Sequence, residues 1–153
     1  MSDLRDLYQE VILDHNRQPR NFGAIEQPTS KAEGYNPLCG DKLTLYLKVA
    51  DGTVVDARFV GSGCAISKAS ASIMTETIKG KPVAEVDALF KEFHDMLTAG
   101  RDGQADVGHL GKLAVFAGVS EFPTRVKCAT LAWHTLQAAL HDPAHVVTTE
   151  DGT

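Results

Sequence analysis

The chain has 153 residues, is 43% hydrophobic and 23% charged, and carries a formal net charge of −5. That length and apolar content suit one domain with its own core, so the fold need not depend on a metal as a short zinc finger does. An acidic balance without a Lys/Arg run excludes a nucleic-acid footprint, and no apolar stretch approaches a membrane span.

Leu4, Leu7, Tyr8, Val11 and Ile12 recur at helical spacing, with Ser2 or Asp3 as cap and Pro19 as stop. The Gly-, Pro-, Asn- and Gln-rich stretch from Arg20 to Asn36 reads as loop, with a short strand near Lys31–Tyr35. Leu43, Leu45, Leu47 and Val49 alternate with Lys42, Thr44, Tyr46 and Lys48, the pattern of a half-buried strand. Asp51-Gly52 signals a hairpin turn, and Val54 to Val60 supplies the returning strand. Helices are expected over Ala65–Lys79, stopped by Gly80, and over Val83–Leu97. Ala99–Asp106 reads as a linker and Leu110–Val119 as a short helical segment. Pro123 opens the last helix, Thr124–Leu140, with Leu131, Leu136 and Leu140 on its core face and Trp133 alongside. The pattern gives an α+β fold, a small and mainly antiparallel sheet with helices packed on one face. Residues 1–145 are expected to form a single domain, and residues 146–153 a flexible tail.

Cys39, Cys64 and Cys128 are the chain's three cysteines. The N-terminus Met1-Ser2-Asp3-Leu4-Arg5-Asp6 lacks the basic-then-apolar order of a signal peptide. A cytoplasmic location follows as an expectation, and there cysteines stay reduced. Cys39 and Asp41 share the turn segment Asn36-Pro37-Leu38-Cys39-Gly40-Asp41, and Cys64 ends Gly61-Ser62-Gly63-Cys64. The hairpin places Asp41, before its first strand, and Cys64, after its second, at the same end. Cys64 also opens a helix, where the dipole and free N–H groups favour thiolate. Cys128 sits in the second turn of the last helix between Lys127 and Ala129.

Three thiolates and one carboxylate complete a four-coordinate zinc site, or ligate an iron–sulfur cluster. The duller reading is three buried thiols, since free cysteine is often buried. Cys128 alone fits it, but Cys39 and Cys64 lie in Gly-rich turns where core residues are rare. For Asp41 the plainer job is a cap or turn residue after Gly40. His15, His134, His141 and His145 fall on helix faces or the tail, and His94 and His109 flank the linker. None neighbours a cysteine, so all six are expected at surfaces or caps. A Cys–His hydrolase has no local signature here. Arg125 and Lys127 flank Cys128 and would balance a site of charge about −2, with Arg125 able to pair with Asp41 or a partner's sulfur.

Cys39-Gly40-Asp41, Gly61-x-Gly63-Cys64-Ala65-x-Ser67-x-Ala69-Ser70-x-Ser72 and Arg125-x-Lys127-Cys128-Ala129-x-Leu131-x-Trp133 together resemble SufU proteins, relatives of the IscU and NifU N-terminal iron–sulfur scaffolds. His15-Asn16-x-x-Pro19-Arg20-Asn21-x-Gly23 fits the same family, and the resemblance covers nearly the whole chain. IscU scaffolds carry a histidine immediately before the third cysteine, where this chain has Lys127, and a shorter link between the second and third cysteines. Both departures favour the SufU branch, whose extra segment corresponds to Glu92–His109.

The resemblance implies an SufE/NifU-like fold and a zinc-dependent sulfurtransferase, with zinc held by Cys39, Asp41, Cys64 and Cys128. It implies a pyridoxal-phosphate cysteine desulfurase of the SufS type as sulfur donor and a downstream iron–sulfur scaffold as recipient. A partner histidine would take one zinc position and free Cys39 as the persulfide acceptor. The alternatives are a scaffold that assembles a transient cluster on the same ligands, and a structural zinc module.

Overall fold

The computed structural model describes residues 2–37, 40–98, 107–141 and 147–148. The elements are helix α1 (Ser2–Arg17), strands β1 (Ser30–Asn36), β2 (Asp41–Ala50) and β3 (Thr53–Ser62), helices α2 (Ala65–Ile78) and α3 (Val83–Thr98), a 3-10 segment (Val107–Glu121), helix α4 (Pro123–His141) and strand β4 (Val147–Thr148).

β2 and β3 form the expected hairpin. Asp51 and Gly52 both take positive φ, 55° and 73°, as a two-residue turn matching the right-handed strand twist requires. β1 pairs antiparallel with β2 from Ser30↔Leu47 to Asn36↔Asp41. The sheet order is β3-β2-β1-β4, with only the β1–β4 pair parallel. The expected short strand near Lys31–Tyr35 is therefore a full sheet member. Its sequence, SKAEGYN, hides this because a single aliphatic residue, Ala32, marks the inward face. The expected tail contributes β4, two residues paired with Gly34 and Tyr35.

Leu43, Leu45 and Leu47 point from β2 into the core, while Lys42 and Lys48 on alternate positions are exposed. α2 and α4 cover that buried face, α1 packs on α2, and α3 packs on the 3-10 segment. Trp133 from α4 is fully buried against Phe93, which also meets Phe116 edge-on. Gly34 lets α4 approach β1: a Cβ there would lie 2.1 Å from Thr135 Oγ1.

The segment expected as a short helix over Leu110–Val119 is instead a 3-10 stretch interrupted at Gly111, whose φ of 56° and ψ of −128° are not helical. Its apolar residues Leu113, Val115, Phe116 and Val119 still reach the core. The linker Ala99–Asp106 lies outside the described residues.

Candidate metal centre

Three elements bring their ends to one point. Asp41 is the first residue of β2, directly opposite Asn36 at the end of β1. Cys64 caps α2 with extended backbone (φ −73°, ψ 166°), and its sulfur accepts the N–H of Ser67 at 3.4 Å. Cys128 lies one turn and a half into α4 and is 2% exposed. One ligand atom each from Asp41, Cys64 and Cys128 lies within 4.8 Å of the other two.

Asp41 is 1% exposed, so its carboxylate must be satisfied from within. Oδ1 accepts the backbone N–H of Cys64 at 2.8 Å. Oδ2 accepts from Asn36 Nδ2 at 3.2 Å and lies 3.8 Å from Cys64 Sγ. Oδ1 is thus committed to the backbone, and Oδ2 faces the sulfurs. Gly63 makes this approach feasible, because a Cβ there would sit 2.3 Å from Asp41 Oδ1.

Asn36 was missed by reading the sequence. It is fully buried, and its Nδ2 donates to Cys128 Sγ at 3.4 Å as well as to Asp41. One amide on β1 therefore bridges β2 and α4, reaching Cys128 across 92 positions of sequence. A strand ending in an inward asparagine opposite an inward aspartate would have been the signal, but it needs the β1–β2 register first.

The Cys64 thiol is lowered to about 7. Its interaction with Cys128 is the largest cause, opposed by burial and by the Asp41 charge and supported by the N–H groups of Ser67 and Ile66. The hydrogen bond with Cys128, supported by the N–H groups at the helix cap, therefore prepares one sulfur as thiolate near neutral pH.

Cys39 lies outside the described residues, between Pro37 and Gly40. Arg125 is exposed, and its guanidinium rests over the Phe122 ring at 5.1 Å. Lys127 is half-buried beside Cys128.

The expectation that all histidines sit at surfaces or caps is corrected at two. His15 is 1% exposed and bonds Ser72 Oγ through Nδ1 at 2.7 Å. Lys112 Nζ lies 3.3 Å from its Nε2, and an ammonium can only donate, so Nε2 accepts and Nδ1–H donates to Ser72. Burial, then the charges of Arg20 and Lys112, lowers the His15 pKa. His134 lies against Phe90 and His94, and burial with the neighbouring His94 pushes it down to about 4. His141 stays at the surface with Asp87, 3.1 Å away. His145 and the side chain of His109 lie outside the described residues. Among the described residues no histidine joins the Asp41, Cys64 and Cys128 cluster.

The segment His15–Gly23 has a structural use. Arg20 N–H donates to the same Ser72 Oγ at 2.8 Å, and Asn21 Nδ2 donates to Thr75 Oγ1 at 3.2 Å, so the chain leaving α1 is tied to α2. Ser70 Oγ in turn donates to the carbonyl of Ala129 at 2.6 Å, locking α2 to α4 beside Cys128.

The donor set fits a thiophilic, four-coordinate ion. Ligands of tetrahedral zinc, with bonds of about 2.0–2.3 Å, lie about 3.3–3.8 Å apart. The three atoms here already approach that spacing, and Asn36 and the Cys64 N–H brace the carboxylate as outer-shell partners do. A fourth ligand must come from outside these three, and the chain's remaining cysteine, Cys39, stands two positions before Asp41.

The family described as NifU-like N terminal domain matches residues 7–129. Among curated proteins, the chain is 44% identical over 134 residues to an iron-sulfur cluster assembly scaffold protein IscU of Thermotoga maritima, covering 88% of this chain and 92% of that one. It is 42% identical over 136 residues to the zinc-dependent sulfurtransferase SufU of Bacillus subtilis, covering 89% and 90%. Among solved structures it matches FiSufU of Fervidobacterium islandicum AW-1, a candidate scaffold of the SUF system, with a TM-score of 0.80, 38% identity, and coverage of 86% and 94%.

Proposed function

The chain belongs to the NifU-like N-terminal domain family, with relatives named IscU and SufU, and on that premise we propose that it is a zinc-dependent sulfurtransferase of iron–sulfur cluster assembly. In this reading Cys39, Asp41, Cys64 and Cys128 hold zinc, and Cys39 accepts sulfur from a pyridoxal-phosphate cysteine desulfurase. The observation that carries it is the convergence of Asp41, Cys64 and Cys128 on one braced, largely buried point. Lys127 before the third cysteine and the 42% identity to a SufU named as zinc-dependent support the transferase over the scaffold.

Zinc, when bound, keeps thiolates deprotonated at neutral pH without changing their oxidation state. The chain's own residues do the rest. Asp41 and Asn36 fix the base of the site, while Cys64 and Cys128 are anchored on helices. Cys39, two positions before Asp41 in the sequence, is in this reading the residue that receives the sulfur. Its thiolate attacks the terminal sulfur of the desulfurase's cysteine persulfide. A new S–S bond forms on Cys39, the old S–S bond breaks, and the electron pair leaves on the desulfurase thiolate. No external oxidant or reductant is needed.

The test is alanine formation from L-cysteine by the cognate desulfurase, with and without the zinc-loaded protein under reducing conditions, alongside Cys39→Ala. Stimulation that vanishes in the variant is the expected result. A folded, zinc-loaded protein that leaves the desulfurase rate unchanged would overturn the reading. The 44% identity to a protein named as a scaffold supports the other reading, and reconstitution of a stable cluster on the chain would establish it.

A further inference from the structure

The alternation that buries Leu43, Leu45 and Leu47 turns Lys42, Tyr46 and Lys48 of β2 to the other face of the sheet. The register adds Lys31 and Tyr35 from β1 and Arg58 from β3 to that face. α2 and α4 cover the opposite face, and among the described residues no helix packs on this one.

The outer face has a regular construction. Lys31 stands opposite Tyr46, and Lys42 opposite Tyr35, so each lysine has a tyrosine as its cross-strand partner. The two ammonium groups rest over those rings at 5.6 and 5.7 Å. Arg58 flanks Tyr46 from the other side, and Lys48 lies exposed two positions along β2. The carboxylates here are Glu33 and Asp56, and Asp56 is already shared between Lys79 at 3.2 Å and Arg58 at 3.5 Å. Lys31, Lys42 and Lys48 have no carboxylate partner among the described residues. On a chain of net charge −5, this face is a local excess of positive charge.

Its chemistry selects the occupant. Tyrosine and arginine are the side chains that anchor protein interfaces, and lysine stems laid along rings lose little freedom on binding. An acidic protein surface is the electrostatic complement. A nucleic acid fits less well, because a single strand binds by stacking bases on aromatic rings, and both rings here are already covered by ammonium groups. Strands about 4.8 Å apart, with same-face residues about 7 Å apart along each, give the patch an area of about 400 Å². A stable complex buries about 800 Å² on each partner, so the patch is one part of a larger contact. Its continuation is at hand: Lys42 follows Asp41 and Tyr35 precedes Asn36, so the face runs directly into the metal centre.

We propose that this outer sheet face is the lateral part of the docking surface for the sulfur-donating desulfurase, and that it recognises an acidic surface beside that enzyme's persulfide cysteine. The proposal rests on the transferase reading and adds the surface that recognises the donor. Charges of this kind act on encounter and on partner choice, so their effect is largest at low salt.

The experiment compares the zinc-loaded protein with Lys31→Glu/Lys48→Glu, both remote from the metal ligands, and with Arg17→Glu/Lys91→Glu, exposed positions on α1 and α3 that change the net charge equally. Binding to the cognate desulfurase is measured by titration calorimetry at low and high salt, with zinc content and circular dichroism as checks on folding. The expected result is a Kd at least tenfold weaker at low salt for the sheet variant, a smaller difference at high salt, and wild-type affinity for the helix variant. In the alanine-formation assay the sheet variant should raise the apparent KM for the protein and leave kcat near wild type. Wild-type affinity in a folded sheet variant, or equal weakening by the helix variant, would overturn the proposal. Loss of affinity in the sheet variant supports the face whether or not alanine formation is stimulated, whereas absence of stimulation by the wild type rejects the transferase reading. Two other occupants are tested with the same variants, by single-stranded RNA binding and by sedimentation of the protein alone. RNA binding or self-association that the sheet variant abolishes, with desulfurase affinity unchanged, would assign the face elsewhere and overturn the proposal.

Discussion

The carboxylate of Asp41 accepts the backbone N–H of Cys64 across 23 positions of sequence, at 2.8 Å. The bond ties the start of β2 to the start of α2 and leaves the second carboxylate oxygen facing the sulfurs. Removing the acceptor strands a part-buried donor, which costs about 1–3 kcal/mol. Asp41→Ala should therefore lower the stability of the metal-free protein by that amount in urea titrations. Asp41→Asn, which retains an acceptor oxygen, should lose less. Both should bind zinc more weakly. Equal stability of Asp41→Ala and wild type would show that the bond is not formed.

Asn36 supplies one amide to two of the three clustered residues. Outer-shell partners of this kind are worth about 10–100-fold in metal affinity. Asn36→Ala should weaken zinc binding within that range, measured by competition with a chromophoric chelator. An unchanged affinity would reduce Asn36 to a packing residue.

At Gly34 the helix α4 is so near that a Cβ would strike Thr135 Oγ1 at 2.1 Å and approach Leu131 Cδ1 at 3.1 Å. Gly34→Ala should destabilise the fold by about 2 kcal/mol, the usual scale of overpacking. Adding Thr135→Ala removes the nearer obstacle and should recover part of the loss. Strictly additive effects of the two substitutions would contradict this geometry.

His134 gives a pH dependence with a definite sign. Its folded pKa, about 4, lies below the ordinary 6.5, chiefly through burial. The neutral ring thus contributes stability fully present above pH 6.5, and lost progressively as pH falls toward 4. Each pH unit in that window costs about 1.4 kcal/mol, or about 3 kcal/mol in all. His134→Phe, which suits the aromatic neighbours Phe90 and His94, should show a flatter loss over the window. Parallel urea midpoints for both proteins from pH 7 to pH 4 would refute it.

The hairpin, α2, α3 and α4 were legible in the chain because each is written in local periodicity and local stops: alternation in Leu43–Val49, Asp51-Gly52, Gly80 and Pro123. The hairpin alone also implied that Asp41 and Cys64 share one end of the sheet, since an antiparallel pair closed by a tight turn returns the chain to its start. β1 escaped its full extent because pairing with β2, and not its own apolar pattern, defines it. The 3-10 segment escaped because its apolar residues are placed by α3 and α4 around a break at Gly111. The burial of His15 and the bridging amide of Asn36 depend on partners 57 and 92 positions away. By itself the sequence determined which residue types could hold a metal and which elements carry them. Only the tertiary structure decided that Cys128 meets Asp41 and Cys64, and that a buried asparagine braces them, because contacts between distant segments arise from how the helices settle on the sheet and leave no local periodic trace.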